Sequence, residues 1–318
     1  MKRCYALSAK NHRWTESLLR RTLLCMTTEQ LFGTNCVAMV TPMTKDGELD
    51  EHSLGRLVDH LVATGCDGIV VAGTAGEAPT LTDAETEKLV AAVVSRVDGR
   101  AKVTAGVGTY DTAASVARAR RAEAAGADGL LVVCPYYSRP TQAGIVAHCT
   151  AVADATNLPV MLYDVPARSG TAFSPESLFL LAEHPRIRAV KDAKGDLYEA
   201  STVMSRTSLA YYCGIDELNL AYLAIGATGL VSVVGNLVGD RNAALADAVR
   251  RGDLVSARRI QNELLPLTDA VMRTSQGAIM AKAALAEIGV IDSAAVRLPL
   301  LESPPEDLRR LSAATREC

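Results

Sequence analysis

The sequence predicts an α/β fold: a (β/α)8 TIM barrel with a C-terminal helical appendix. Three observations carry that expectation. Short apolar runs alternate with helix-patterned stretches eight times between residues 36 and 251. The apolar runs are mostly continuous, as in strands of a parallel sheet buried on both faces. The chain has 318 residues, long for one ordinary domain but normal for such a barrel. An open, doubly wound sheet usually needs fewer strands, and no G-x-G-x-x-G follows the first strand to suggest a dinucleotide fold.

The elements follow in order. Residues 36–41 form the first strand, closed by Pro42. Leu54, Leu57, Val58, Leu61 and Val62 give helical spacing over 53–63. A buried strand at 68–73 precedes a helix at 83–97 with Asp83 at its start, where the carboxylate is placed to cap it. Strands at 103–106, 129–133 and 159–163 alternate with helices at 111–125, 141–155 and 174–183. Residues 187–191 form the sixth strand, followed by a helix at 197–206, a strand at 210–213 and a helix at 217–225. Residues 229–233 are the eighth strand and 238–251 its helix. Beyond it, 254–271, 277–288 and 305–311 read as helices packed on the barrel. The chain is thus divided into an N-terminal extension (1–32), the barrel (33–252) and a helical region (253–318).

Composition excludes several function classes. Net charge is −3, with no basic stripe to hold nucleic acid and no acidic tail. No apolar run approaches the roughly 18 residues that span a membrane. The eight cysteines are scattered, without C-x-x-C or a His-Cys cluster. That pattern suits reduced thiols in a cytoplasmic protein, and neither a disulfide framework nor a metal site is expected. The five histidines are mostly far apart and read as surface or helix residues. Residues 1–30 carry Lys2, Arg3, Lys10, Arg13, Arg20 and Arg21 against Glu16 and Glu29. They read as a frayed extension or an early start, with Met26-Thr-Thr as a natural alternative, and no function is expected there.

In such a barrel the chemistry gathers at the C-terminal ends of the strands. The sixth strand ends in Lys191, in the stretch Ile187-Arg-Ala-Val-Lys-Asp-Ala-Lys194. A lysine delivered by an apolar strand into a dry cavity loses proton affinity, and a neutral amine attacks ketones. Strand five ends in Tyr163, whose phenol can move protons beside a carbinolamine. Strand two ends in Gly73-Thr74-Ala75-Gly76-Glu77, a turn whose N–H groups suit a small carboxylate. Taken singly, each has a blander reading. Lys191 could snorkel to solvent, Tyr163 could pack at the rim, residues 73–76 could be only a tight turn, Tyr136 and Tyr137 could pack at a subunit interface, and Arg168 could be a loop charge.

Together they resemble the dihydrodipicolinate synthase / N-acetylneuraminate lyase family of class I pyruvate aldolases. The resemblance covers roughly residues 33–300. It rests on A-M-V-T-P-M at 38–43, G-T-A-G-E at 73–77, P-Y-Y-S-R-P at 135–140, L-Y-D-V-P-A-R-S-G at 162–170, V-K-D-A at 190–193 and G-L-V-S-V at 229–233. The resemblance implies that Lys191 forms a Schiff base with pyruvate and that Tyr163 is the acid/base residue. It implies a proton relay from Tyr163 through Thr74 to Tyr137, the last reaching across a dimer interface. Thr74, Ala75 and Gly76 would hold the pyruvate carboxylate, and the Val231 carbonyl would face the lysine. Arg168 would bind the carboxylate of aspartate semialdehyde, the second substrate. No metal or organic cofactor is implied, because the protonated imine is the electron sink. The implied assembly is a homotetramer of tight dimers, with neither nucleic acid nor membrane as partner.

The implied activity condenses pyruvate with aspartate semialdehyde to 4-hydroxy-tetrahydrodipicolinate, in lysine and diaminopimelate biosynthesis. Two departures keep alternatives open. The family turn is usually G-T-T-G-E, and Ala75 replaces its second Thr, leaving room for an aldolase or lyase acting on a sugar-derived 2-keto acid. Gly214-Ile215-Asp216 stands where the synthases often show G-D-D. A silent keto-acid-binding paralogue is a third reading, opposed by the intact Lys191 and Tyr163. Family members that lysine inhibits hold it with polar groups at the dimer interface. The matching positions here are Ala78, Pro79, Asp83, Thr86, Tyr110 and Ala114, so insensitivity to lysine is expected.

Overall fold

The computed structural model describes residues 31–317; the expectation for residues 1–30 lies outside them. Eight parallel strands close into a barrel in the order β1 to β8. They are β1 Asn35–Ala38, β2 Gly68–Val71, β3 Lys102–Gly106, β4 Gly129–Val133, β5 Val160–Asp164, β6 Ile187–Asp192, β7 Ala210–Cys213 and β8 Gly229–Ser232. Closure is direct: Cys36 of β1 is in register with Gly68 on one side and Val231 of β8 on the other. The (β/α)8 expectation from the apolar runs therefore holds.

Helices return the chain between strands: α1 Glu51–Ala63, α2 Asp83–Val97, α3 Thr112–Ala124, α4 Gln142–Asp154, the single turn α5 Pro166–Ser169, α6 Pro175–Ala182, α7 Leu197–Arg206, α8 Asn219–Ala224 and α9 Gly235–Arg250. Then come α10 Leu254–Met272, α11 Gly277–Glu287 and α12 Pro305–Glu317. Side chains that accept an orphan N–H start most of them: Asp50 for α1, Asp111 for α3, Thr141 for α4, Ser174 for α6 and Asp196 for α7. Helix α2 corrects the sequence reading. Thr82, not Asp83, is its cap, in a reciprocal box with Glu85. The Asp83 carboxylate instead pairs with Arg118 and Arg121.

Two apolar layers result from the period of two along each strand. Outward-facing residues such as Leu130, Val132, Leu162 and Val190 pack under the helices. Inward-facing residues, among them Cys36, Val70, Leu131, Met161, Ala189, Tyr212 and Val231, fill the barrel. Phe32 lies fully buried in this inner layer, edge-on to Tyr212, whose hydroxyl donates to the Gly33 carbonyl at 2.8 Å. These contacts close the N-terminal end of the barrel and leave the opposite end for the site.

Several boundaries differ from the sequence reading: β2 stops at Val71, β5 and β6 run one residue further, to Asp164 and Asp192, and the last helix runs to Glu317. β1 stops at Ala38, where the chain turns so that Thr41 Oγ1 can donate to the Gly76 carbonyl at 2.7 Å. Residues 166–169 form a helical turn, begun by Pro166 and ended by left-handed Gly170. The last barrel helix starts at Gly235 and is kinked at Val238, three residues before the expected start. Asp216 explains that early start: its buried carboxylate receives the N–H groups of Val233 and Val234 at 2.9 and 3.2 Å and the Ser232 hydroxyl. No helix among the described residues is long and apolar enough to cross a membrane.

Candidate active site

Strand parity fixes the centre of the site. Tyr163 and Lys191 are register partners on neighbouring β5 and β6, and both belong to the inward-facing set. Lys191 is 4% exposed and Tyr163 6%. The Lys191 Nζ stands 4.4 Å from the centroid of the Tyr163 ring. Among the described residues Lys191 forms no ion pair, whereas Lys194 pairs with Glu199 and lies 3.7 Å from Asp164, and Lys282 pairs with Glu77 at 2.7 Å.

Lys191 opens onto a cavity of about 210 Å³, which Thr74, Ala75, Tyr163 and Arg168 also line. A second cavity, of about 350 Å³, shares Thr74, Tyr163, Val165, Arg168 and Gln276 with the first. The two are halves of one cleft at the barrel mouth, divided by the Thr74–Tyr163 wall. The larger half runs over bare backbone at Gly106 and Gly108. Gly106 has no alternative, since a Cβ there would sit 2.2 Å from the Ala72 carbonyl oxygen.

The turn after β2 is held by its own backbone: Glu77 N–H donates to the Thr74 carbonyl at 3.2 Å and Ala78 N–H to that of Gly73 at 3.2 Å. Ala75 and Gly76 are buried within it. Ala75 faces the Lys191 cavity, while Gly76 lines neither half. Arg168, exposed on α5, stands at the edge of both halves, and its backbone N–H donates to Val165 at 2.9 Å. Val231 lies in the barrel beneath the cleft, and its neighbour Val233 lines the lysine compartment.

Tyr137 stands apart from these residues. It is 91% exposed, adopts φ +68° and lines neither cavity of its own chain. Its neighbour Tyr136 meets Tyr110 edge-on with ring centroids 5.3 Å apart, and Tyr136 lines the larger half of the cleft.

Behind Lys191 and Tyr163 lies a layer of carboxylates. Asp164 and Asp192 follow Tyr163 and Lys191 on the same strands, so parity turns them outward, and both are buried. Asp164 Oδ1 receives Phe173 N–H at 3.4 Å, and the Asp192 carboxylate receives Lys194 N–H at 2.8 Å. Burial pushes Asp164 up to about 7, with Lys194 pulling it down and Asp192 adding to the rise. Burial also raises Asp192, against the hydrogen bond from Lys194.

Several lining residues escaped the sequence reading. Met272, Gln276, Gly277 and Ala278 come from the C-terminal helices and close one wall of the lysine compartment, with Glu217 beside them. Pro299 and Leu300 border the larger half. No motif marks them, because apolar helix pattern looks the same whether it faces a core or a cleft. Gln276 carried a usable signal: a polar residue before an apolar helix is a cap, and its side chain accepts Ala278 N–H at 2.6 Å. The N-terminal end of α11 therefore faces the cleft, and its positive dipole end favours anions there. Among the described residues no group of three or more His, Cys, Asp or Glu is placed to hold a metal ion.

Comparison with known proteins agrees with this arrangement. The profile of the Dihydrodipicolinate synthetase family matches residues 31–317. The 4-hydroxy-tetrahydrodipicolinate synthase of Kineococcus radiotolerans is 52% identical over 282 residues, covering 89% of this chain and 92% of that enzyme. The crystal structure of a dihydrodipicolinate synthase from Bacillus anthracis superposes with a TM-score of 0.87 at 37% identity, over 90% of this chain and 98% of that one. The chloride-inhibited synthase from Acinetobacter baumannii, solved with pyruvate, gives 0.86 at 33% identity, over 90% and 98%. Strand order, a buried lysine beside a tyrosine and a likeness that spans nearly the whole described chain converge, and the protein belongs to the dihydrodipicolinate synthetase family.

Proposed function

We propose that the chain is a lyase that condenses pyruvate with aspartate semialdehyde through a Schiff base on Lys191, giving 4-hydroxy-tetrahydrodipicolinate for lysine and diaminopimelate synthesis. The observation that carries this reading is Lys191 itself, buried and without an ion-pair partner among the described residues, 4.4 Å from the Tyr163 ring at the floor of a cavity.

The Lys191 amine adds to the ketone carbon, and Tyr163 passes a proton to the carbinolamine oxygen, which leaves as water. The protonated imine draws electrons from the methyl group, which loses a proton and becomes the enamine carbon. That carbon attacks the aldehyde, whose oxygen takes up a proton. The aldehyde's own amine then adds to the imine carbon, and cyclisation expels the Lys191 amine. The 74–76 turn, whose Thr74 and Ala75 line the lysine compartment while Gly76 completes it from behind, and the α11 dipole hold the pyruvate carboxylate. Arg168, at the cleft edge, offers a two-pronged contact to the carboxylate of the aldehyde. Protein groups do all of this, and no cofactor enters the scheme.

Tyr137 completes the relay from a second copy. Its outward position and left-handed backbone present the ring away from its own cleft, and the larger half of that cleft has room for a neighbour's side chain. In this reading tight dimers exchange this tyrosine and pair into a tetramer. The five described cysteines are all free and buried, in keeping with a reducing cytoplasm.

Borohydride reduction in the presence of pyruvate tests the reading. A reduced three-carbon adduct should appear on Lys191, and mass mapping to Lys194 or Lys282 would overturn the assignment. A coupled assay with aspartate semialdehyde beside a panel of sugar aldehydes settles the second substrate. The rival, a sugar-derived 2-keto acid, rests on buried Ala75, which removes a hydroxyl from the carboxylate turn.

A further inference from the structure

We propose that Glu77 and Lys282 are positioning residues for the keto acid, acting through the turn that receives its carboxylate. The proposal rests on the reading above that residues 74–76 hold that carboxylate. Glu77 directly follows the turn and is held in the left-handed region at φ +57°, a conformation uncommon and mildly costly for a residue with a side chain. Two contacts hold it here. Lys282 Nζ donates to Glu77 Oε1 at 2.7 Å, and the Arg297 N–H donates to Oε2 at 3.0 Å. Both side chains of the ion pair are 0% exposed. On the other side of the turn, Thr41 Oγ1 holds the Gly76 carbonyl at 2.7 Å.

The turn is thus gripped from the β1 side and from the C-terminal helices. Lys282 lies on α11, the helix whose first residues line the lysine compartment. One ion pair therefore sets the distance between two walls of the pocket: the turn after β2 and the start of α11. A buried pair this well satisfied is expensive to disturb, because either partner alone would be an uncompensated charge without water. Burial pulls the Lys282 ammonium down, and the carboxylate of Glu77 resists that pull. Lys282 does not face the cleft, so it has no part in covalent chemistry. Its effect reaches the substrate through the turn, and only a substrate that uses the turn should feel it.

That last point supplies the test. Lys191 imines are trapped with borohydride across a range of pyruvate concentrations, and separately across a range of acetone, a methyl ketone without a carboxylate. The proteins are the wild type, Glu77→Gln/Lys282→Met, which removes both charges together, Glu77→Asp, and Lys282→Arg. In the wild type, pyruvate should half-saturate trapping at far lower concentration than acetone. In the double variant the pyruvate value should rise about tenfold or more, the scale of losing a well-placed hydrogen bond to a charged group, while the acetone value stays put. Lys282→Arg, which keeps charge and reach, should restore most of the pyruvate preference. If the double variant does not fold, Glu77→Asp, which keeps both charges but shortens the reach to Lys282, carries the same comparison.

A wild type that takes pyruvate and acetone alike would show that the turn is no carboxylate site, and the functional reading and the proposal would fall together. A wild type that prefers pyruvate, with variants that keep the same preference, would leave the functional reading standing and overturn the proposal. Equal weakening toward both ketones would reduce the pair to a purely structural role and overturn it as well.

Discussion

Among the described residues two lysines are buried in almost equal isolation from water, in opposite surroundings. Lys191, at the end of β6, is 4% exposed; Lys282, inside α11, is 0% exposed. Lys282 is clasped by a carboxylate at 2.7 Å, while Lys191 faces the ring of Tyr163 and a cavity. Burial alone therefore does not make a nucleophile. A buried ammonium with a counter-ion is a strut, and on the proposed mechanism a buried amine beside a tyrosine and an open space is a reagent.

The broadest way to break this contrast is to remove each lysine in turn. Lys191→Ala should abolish pyruvate trapping and lower turnover by about 10³-fold or more, with little change in melting temperature. Lys282→Met should do the reverse, leaving Lys191 able to react while Glu77 stays unpaired at a cost of about 3–5 kcal/mol in stability. Tyr163→Phe belongs with the first and should slow imine formation roughly 10²- to 10⁴-fold. Steady-state rates, trapping and thermal melts on the same samples decide the matter, and an inactive Lys282→Met that remains folded would erase the contrast.

Arg168→Ala sharpens the lysine side. It should raise KM for aspartate semialdehyde roughly 10- to 100-fold and leave that for pyruvate nearly unchanged, as expected for loss of a hydrogen-bonded charge contact. Equal effects on both substrates would remove Arg168 from its assigned role. Ala75→Thr restores a hydroxyl to the turn and should lower KM for pyruvate several-fold. An unchanged or higher value would point to a pocket shaped for another keto acid.

The carboxylates behind the lysine give a pH signature. Asp164 sits near 7 in the fold, against about 3.9 for an unfolded carboxyl. The folded state then holds the extra proton, so this stability is full below about pH 4 and is lost as pH rises through about 7. Asp192, Lys194 and Glu199 are the charged groups around it. Asp164→Asn cannot ionise and should flatten the decline, by a few degrees of melting temperature between about pH 5 and 8. Identical slopes in the two proteins would show that Asp164 ionises in the fold without penalty.

The smallest expected effect is none. Lysine should not inhibit at sub-saturating pyruvate. Ala78 and Pro79 offer no polar side-chain partner, and the Asp83 carboxylate is already engaged by Arg118 and Arg121. A saturable loss of activity in a lysine titration, abolished by changing Tyr110 or Asp83, would show that the interface binds it by another route.

Much of this was legible in the sequence because it is local. Apolar runs marked the eight strands, and strand ends marked Thr74, Tyr163 and Lys191. Asp83 was misread because Thr82 and Asp83 both fit a cap, and only the distant Arg118 and Arg121 reveal which one is free to do it. The Glu77–Lys282 pair, Gln276 and the Pro299-Leu300 border depend on how the C-terminal helices dock, which no short motif records. The motif singles out Tyr137, but its outward placement goes with a single left-handed residue that the sequence does not announce.

The ion pair between Glu77 and Lys282 joins residues 205 positions apart. At a synthesis rate of about 5–20 residues per second, Glu77 leaves the ribosome roughly 10–40 s before its partner. The last barrel strand ends at Ser232, well before Lys282 is made. During vectorial synthesis, then, every strand exists before the clasp on the turn does. Contacts this remote in sequence also carry the largest loop-closure cost and tend to form slowly. The nascent chain can hold a complete set of strands while the turn after β2 still lacks its buried clasp to α11, so that turn takes its final setting at the end of translation, not when the barrel can first close.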